Sequence, residues 1–259
     1  MTVPASGRRV LVTGATQGIG RAVAQAFARL GDIVAVHYTS RPEEARRTLE
    51  SLDGEGHVMV NADISDPHQC RALVQKVLSE LGGVDVLINN AGIAPSPFNA
   101  HPIADATFED WTDRWEQMLS VNLLGAAHVT WAFAQQLREG GGSGAVVNIG
   151  SRGAFKGEPE HPAYAASKAA LHAFGQSIAA TLAPYGISVS SVAPGVVATE
   201  RQATTLAGPD GDGLRAQSPF GRVATPEEVA HAVLYLASPE AVWSSGAVLD
   251  LNGASYFHP

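Results

Sequence analysis

Cysteine is nearly absent: Cys70 stands alone in 259 residues, which excludes an intrachain disulfide framework and any cysteine-rich metal site. The nine histidines have no His-Glu-x-x-His or comparable ligand spacing, so no protein-held catalytic metal is expected. Basic residues are few, 17 Lys and Arg against 25 Asp and Glu for a net charge of -8, and they are scattered. A protein that binds nucleic acid or an anionic membrane surface gathers Lys and Arg to neutralise phosphate, so neither partner is expected. No run approaches the ~18 apolar residues of a membrane span. The N-terminus, MTVPASGRR, is short and polar with no apolar leader, and the expected location is the cytoplasm. Internal repeats, linkers and composition shifts are also missing, so one domain over residues 1–259 is expected.

What is present is an alternation. Short apolar runs at residues 9–13, 33–38, 57–61, 84–89, 145–151, 188–193 and 248–251 are separated by helical stretches at 21–30, 42–52, 67–81, 111–139, 162–184 and 226–237. Near-continuous apolar strands alternating with helices predict an α/β fold, a Rossmann-like doubly wound parallel sheet of about seven strands with helices on both faces. Residues 196–219 lack a strong period and carry Gly, Pro and Asp, the composition of a mobile flap over a site.

The first strand breaks into Gly14-x-x-x-Gly18-x-Gly20 before a helix. In that setting missing side chains let backbone N–H groups and the helix N-terminus approach a pyrophosphate. The turn lacks the Gly-Lys-Ser/Thr of an ATP-binding loop. At the end of the second strand, where a carboxylate would bind the ribose 2′-hydroxyl of NAD, stands Tyr38, followed by Thr39, Ser40 and Arg41. No carboxylate there repels a 2′-phosphate, and Ser40 and Arg41 can bond one, so NADP(H) is favoured and NAD(H) possible.

The stretch from Ser151 to Lys168, SRGAFKGEPEHPAYAASK, ends in Tyr-x-x-x-Lys. On a helix Tyr164 and Lys168 stand one turn apart on one face. A lone phenol titrates near pH ~10, and an ammonium beside it favours the phenolate and lowers that value. A group whose pKa nears the working pH makes an effective general acid or base.

Taken together these segments resemble the short-chain dehydrogenase/reductase family over essentially the whole chain, nearest to its β-ketoacyl-carrier-protein reductase-like and sugar or polyol dehydrogenase members. The motifs are Thr13-Gly14-x-x-x-Gly18-Ile19-Gly20, Asp63, Asn89-Asn90-Ala91-Gly92, Asn122 in Ser-Val-Asn, the Ser151, Tyr164 and Lys168 trio, and Pro194-Gly195 with Thr199. The resemblance implies hydride transfer between a nicotinamide and a carbonyl or alcohol carbon. Tyr164 would be the acid or base, Ser151 a donor to the substrate oxygen, and Lys168 a partner of Tyr164 and of the nicotinamide ribose. Asn122 would hold a water that links Lys168 to solvent. The cofactor would lie against Gly14, Thr16, Gln17, Gly18, Ile19, Tyr38, Ser40, Arg41, Asp63, Ile64, Asn90, Ala91, Gly92, Tyr164, Lys168, Pro194, Gly195, Val197 and Thr199.

A small carbonyl or alcohol substrate is expected between residues 93–101, 152–161 and 196–219. Phe98 and Phe155 would offer apolar surface there, and Arg152, Glu158, His161, Glu200, Arg201 and Arg215 polar contacts. The resemblance also implies a homotetramer or homodimer paired through the long helices, with Trp111, Trp115, Met118, Trp131 and Phe133 supplying apolar surface. The C-terminal LNGASYFHP is expected to pack against a neighbour or near the site. Two other classes stay open: a dinucleotide-sensing regulator, which does not need the catalytic set, and a sugar-nucleotide epimerase or dehydratase, disfavoured by the short C-terminal part.

Overall fold

The computed structural model describes residues 7–258. The alternation of short apolar runs and helical stretches resolves, in chain order, into β1 (Arg9–Val12), α1 (Gly18–Arg29), β2 (Ile33–Tyr38), α2 (Pro42–Glu50), β3 (Val58–Asn61), α3 (Pro67–Leu81), β4 (Val86–Asn89), α4 (Phe108–Leu119), α5 (Ala126–Gly140), β5 (Gly144–Ile149), α6 (Gly153–Lys156), α7 (Pro162–Leu182), β6 (Ile187–Pro194), α8 (Ala203–Ala207), α9 (Gly211–Ala216), α10 (Pro226–Leu236) and β7 (Val248–Leu251). The helix starts follow local chemistry. Proline, whose missing N–H costs nothing in a first turn, opens α2, α3, α7 and α10. Thr225 and Glu228 close a reciprocal capping box on α10. Gly82 and Gly141 end α3 and α5 in the left-handed conformation, with φ of 75° and 67°.

The strands form one parallel sheet in the order β3-β2-β1-β4-β5-β6-β7. Successive side chains of a strand point to opposite faces. Val10, Val12, Val34 and Val36 therefore pack with Phe27 of α1 and Val229 and Val233 of α10. Leu11, Ala35, Leu87 and Val146 face the other way, onto Leu73 and Val77 of α3 and Val129 and Phe133 of α5. The central strands β1 and β4 are buried on both faces and read as near-continuous apolar runs. The order reverses between β1 and β4, and the crevice beyond the carboxyl ends of those strands is where an open α/β sheet binds its ligand.

Two expectations need correction. The helical stretch at 111–139 is not one continuous helix: a π-helical segment, Ser120–Gly125, separates α4 from α5. Asn122 and Gly125 of this segment are buried, and a side chain at Gly125 would run into the Ile64 carbonyl. The flap at 196–219, which shows no strong period in sequence, carries α8, α9 and a short 3₁₀ turn, Glu200–Gln202. These pieces are too short to leave a periodic signature.

One buried polar residue in β2 shapes the crevice. The Gly14 N–H donates to His37 Nδ1 at 3.0 Å, so the ring proton must sit on Nε2, which faces the Ala62 carbonyl at 3.0 Å. Burial keeps this ring neutral and lowers its pKa to about 4. Unfolding restores an ordinary histidine, and the unfolded chain then binds more protons below pH ~6.5. Stability from the neutral ring is complete above that value and is lost as the pH falls toward about 4. The loss is expected to reach about 3 kcal/mol. Urea denaturation midpoints measured from pH 7 downward should fall over this window, and the fall should flatten in His37→Asn.

Candidate active site

The joint between β1 and β4 is held by side chains. The Thr13 hydroxyl donates to the Ile88 carbonyl at 3.1 Å and accepts the Asn90 and Ala91 N–H groups, each at 3.0 Å. The Asn90 amide donates to the carbonyls of Thr13 and Gly14 at 2.9 and 3.0 Å. A side chain at Gly14 would meet Ala91, and one at Gly20 would meet the Gly14 carbonyl and the Asn90 amide. Gly14 and Gly18 have positive φ of 64° and 53°, a region in which glycine carries no steric penalty. The glycines are thus required by close approach as well as by conformation.

Beyond this joint opens a cleft of about 810 Å³. Along it lie Gly14, Thr16, Gln17, Gly18, Ile19, Tyr38, Ser40, Arg41, Asp63, Ile64, Asn90, Ala91, Gly92, Ser151, Tyr164, Lys168, Pro194, Gly195, Val197 and Thr199. A dinucleotide fits this arrangement: Gly14 and Gly18 line the cleft without side chains, and the N-terminus of the 12-residue α1 faces the cleft with the positive end of its dipole. Arg41 reaches across its mouth to donate to Gln17 Oε1 at 2.9 Å. Asp63 accepts the Ser65 N–H and hydroxyl at 3.0 and 2.8 Å, while the cap of α3 is Asp66. Asp63 is therefore not the helix cap and keeps its place at the cleft wall.

At the other end stand the proton-handling candidates. Ser151, just beyond β5, accepts the Gly153 N–H at 3.0 Å, which leaves its own proton free to donate. Half-buried Tyr164 and buried Lys168 lie one turn apart on α7. Burial raises the Tyr164 pKa and Glu158 adds to the rise, whereas the Ser151 hydroxyl and the Arg201 charge oppose it. Burial, helped by Arg201, lowers Lys168 to about 8. Lys168 Nζ donates to the Ile149 carbonyl at 2.7 Å. Asn122 accepts the Ile93 N–H at 2.7 Å and donates to the Ile93 carbonyl at 3.0 Å and to the Ser167 hydroxyl at 3.1 Å. Its amide clamps the loop after β4, at a point where a side chain on Gly92 would lie near both Asn122 and Lys168.

Several expected substrate contacts sit elsewhere. Phe98 is 90% exposed and lies outside the cleft lining. Phe155 is stacked between His172 and His258 at centroid distances of 5.3 and 4.0 Å. Glu200 turns from the substrate region to accept the Gly18 N–H at 2.9 Å and pair with Arg21 at 3.0 Å, clasping the flap to the glycine turn. Arg215 pairs with Asp212 and donates to the Leu206 carbonyl within the flap. Arg152, Glu158, His161 and Arg201 do line the cleft. Of the apolar helix residues, Met118 and Phe133 are core, while Trp131 is exposed. The C-terminal segment packs near the site on its own chain: the Tyr256 hydroxyl donates to the Phe155 carbonyl at 3.2 Å. His37 went unnoticed as a site residue, although a histidine inside the apolar run of β2 was a visible signal.

A doubly wound sheet with a glycine cradle at its switch point and a Ser, Tyr and Lys group facing the same cleft defines a dinucleotide-dependent oxidoreductase. Comparison with known proteins carries this further. Residues 14–253 match the family model described as enoyl-(acyl carrier protein) reductase. L-rhamnose 1-dehydrogenase (NAD(P)(+)) of Sphingomonas sp. strain SKA58 is 35% identical over 253 residues, covering 96% of each chain. D-threitol dehydrogenase of Mycolicibacterium smegmatis is 35% identical over 248 residues, covering 95% of this chain and 92% of that one. A 3-oxoacyl-(acyl-carrier-protein) reductase of Staphylococcus aureus is 31% identical, covering 96% and 98%. A solved structure, a phenylalanine-to-leucine double variant of a Serratia marcescens short-chain dehydrogenase/reductase, superposes with a TM-score of 0.86 at 28% identity, covering 97% and 99% of the two chains. The chain belongs to the short-chain dehydrogenase/reductase family, and it is an oxidoreductase that uses an NAD(P) cofactor. Among the described residues no helix is long and apolar enough to cross a membrane.

The cradle yields a direct test. Gly20→Ala, which drives a methyl group into the Gly14 carbonyl and the Asn90 amide, should weaken NADPH binding in a fluorescence titration by about tenfold or more. Gly140→Ala, where a Cβ meets nothing within 4 Å, should bind as the natural protein does.

Proposed function

We propose that the chain is an NADP-favouring carbonyl reductase or alcohol dehydrogenase of small substrates, in which Tyr164 is the general acid of reduction and the general base of oxidation. The observation that carries this reading is the convergence of Ser151, Tyr164 and Lys168 on the cleft that also contains the glycine cradle. A bound nicotinamide would supply or accept the hydride at the substrate carbon. Tyr164 gives or takes the proton at the substrate oxygen. The Ser151 hydroxyl would donate to the same oxygen as negative charge grows there, and it is oriented by the bond it accepts from Gly153. Burial by itself leaves a phenol too weak an acid at neutral pH. The charge of Lys168, one turn away, then has to stabilise the phenolate left after transfer. Asn122, besides clamping Ile93, would place a water for proton exchange between Lys168 and solvent.

Cofactor preference rests on the end of β2. Tyr38, Ser40 and Arg41 line the cleft without a carboxylate among them, and Arg41 is a charge partner for a 2′-phosphate. The relatives named as rhamnose and threitol dehydrogenases favour a polyhydroxylated substrate as the second reading, an NAD-linked sugar or polyol dehydrogenase. A dinucleotide-sensing regulator would have no use for the assembled Ser151, Tyr164 and Lys168 group. The working form is a cytoplasmic homotetramer or homodimer, for which exposed Trp131 of α5 supplies apolar surface.

Two measurements test this. Tyr164→Phe should lose turnover by about a hundredfold or more while NADPH titrations still saturate, and substantial residual turnover would refute the role of the phenol. Arg41→Ala should lower the ratio of NADPH to NADH kcat/KM by about tenfold or more, and an unchanged ratio would make Arg41 a surface residue only.

A further inference from the structure

Arg152 directly follows Ser151 and is buried, with 7% of its surface exposed. An arginine stays charged under all ordinary conditions, and a buried charge is normally matched by an opposite one. Here the guanidinium contacts neutral groups: Nη1 donates to the Ser255 hydroxyl at 2.6 Å and Nη2 to Gln217 Oε1 at 2.9 Å. Among the described residues, no carboxylate lies within ion-pair distance of it. Two of its five N–H groups are used by these contacts.

Its position gives the spare charge a purpose. Arg152 and Gln217 stand between the main cleft and a side chamber of about 380 Å³, and both belong to the lining of each. The chamber's other charged groups are already matched. Arg222 grips Glu228 through both carboxylate oxygens at 2.6 and 2.8 Å, and Asp250 lies 2.8 Å from His258 Nδ1, a contact that is an ion pair when that ring is protonated. Apolar surface from Leu214 and Phe220 completes the wall. Ser151 and Arg152 both line the main cleft, so a substrate oxygen held by Ser151 leaves Arg152 facing a group a few bonds farther along the same molecule.

We propose that Arg152 is a specificity-determining residue, and that the substrate is a short oxo- or hydroxy-acid whose carboxylate meets this guanidinium while its carbonyl or hydroxyl carbon faces Tyr164. This rests on the oxidoreductase reading above and narrows its substrate class. Arginine suits the task because its planar fork matches the two carboxylate oxygens. The competing role is a strap, in which Arg152 merely ties the flap at Gln217 and the C-terminal segment at Ser255 to the end of β5.

The test compares acetoacetate and 4-oxopentanoate with their methyl esters, which keep the ketone and remove the charge. With NADPH, the natural protein should favour the acids over the esters in kcat/KM by about tenfold or more, mainly through KM. Arg152→Met should reduce that preference by about tenfold or more, and Arg152→Lys should restore part of it. Acids and esters losing efficiency in equal proportion would establish the strap and overturn the proposal, as would acids and esters used equally by the natural protein. Calorimetric titration of the NADP-saturated protein with acetoacetate and its methyl ester reads binding without turnover. Acetoacetate binding that depends on Arg152, with no ketone reduced, would leave this inference standing and fail the oxidoreductase reading. Ketone turnover with no Arg152-dependent binding would do the reverse.

Discussion

The structure hangs on one joint, the Thr13 hydroxyl that ties the end of β1 to the end of β4. One oxygen donates to Ile88 and accepts two backbone N–H groups. It does so at the place where the strand order reverses, the only part of an open parallel sheet whose topology leaves a crevice between neighbouring crossovers. With the Asn90 amide on the carbonyls of Thr13 and Gly14, the loop after β4 is fastened to the glycine turn. The crevice is therefore held to one width from both sides. His37 adds a third fastening from β2, through the Gly14 N–H. The cradle needs its glycines because these polar groups draw the backbones so close.

The far end of the cleft depends on the same logic applied to charge. Tyr164 and Lys168 are both pushed toward their neutral forms by burial. When both are ionised, the Tyr164 phenolate and the Lys168 ammonium one turn away offset that cost through their opposite charges. The surroundings contain opposed influences, Glu158 raising and Arg201 lowering the phenol. The proton equilibrium of the site is thereby sensitive to residues in the turn after α6 and on the flap. Arg152 stands apart from that set, since its matching neighbours are neutral and its charge is directed to the border of two chambers.

Much of this was legible in the chain. The strands announce themselves because a parallel sheet buried on both faces writes near-continuous apolar runs, as Arg9–Val12 and Val86–Asn89 do. Pro42, Pro67 and Pro226 mark their helix starts. The cleft residues were legible too, for Gly14, Ser151 and Lys168 lie at strand ends or on the helix that follows. What escaped depends on partners far away in sequence. Glu200 and Gly18 are 182 positions apart, so nothing local distinguishes a carboxylate that clasps a turn from one that faces substrate. Phe155 looked like pocket surface, and only the fold of the C-terminal segment brings His258 onto its ring. The π-helical turn at Ser120–Gly125 packs Gly125 closely against Ile64, a contact between helix and loop that no periodicity encodes. His37 was visible as a histidine among apolar neighbours, but its bond to Gly14 was not.

The central claim is that this cleft passes a hydride directly between a nicotinamide and a substrate carbon while Tyr164 handles the proton. The most direct test is to reduce a small ketone, acetoacetate or its methyl ester, with NADPH deuterated at the transferable C4 position, and to locate the label by mass spectrometry and NMR. One deuterium on the carbinol carbon, with none entering that carbon from deuterated solvent when unlabelled NADPH is used, is the predicted result. Solvent label on that carbon, or no alcohol formed from any ketone, would contradict it.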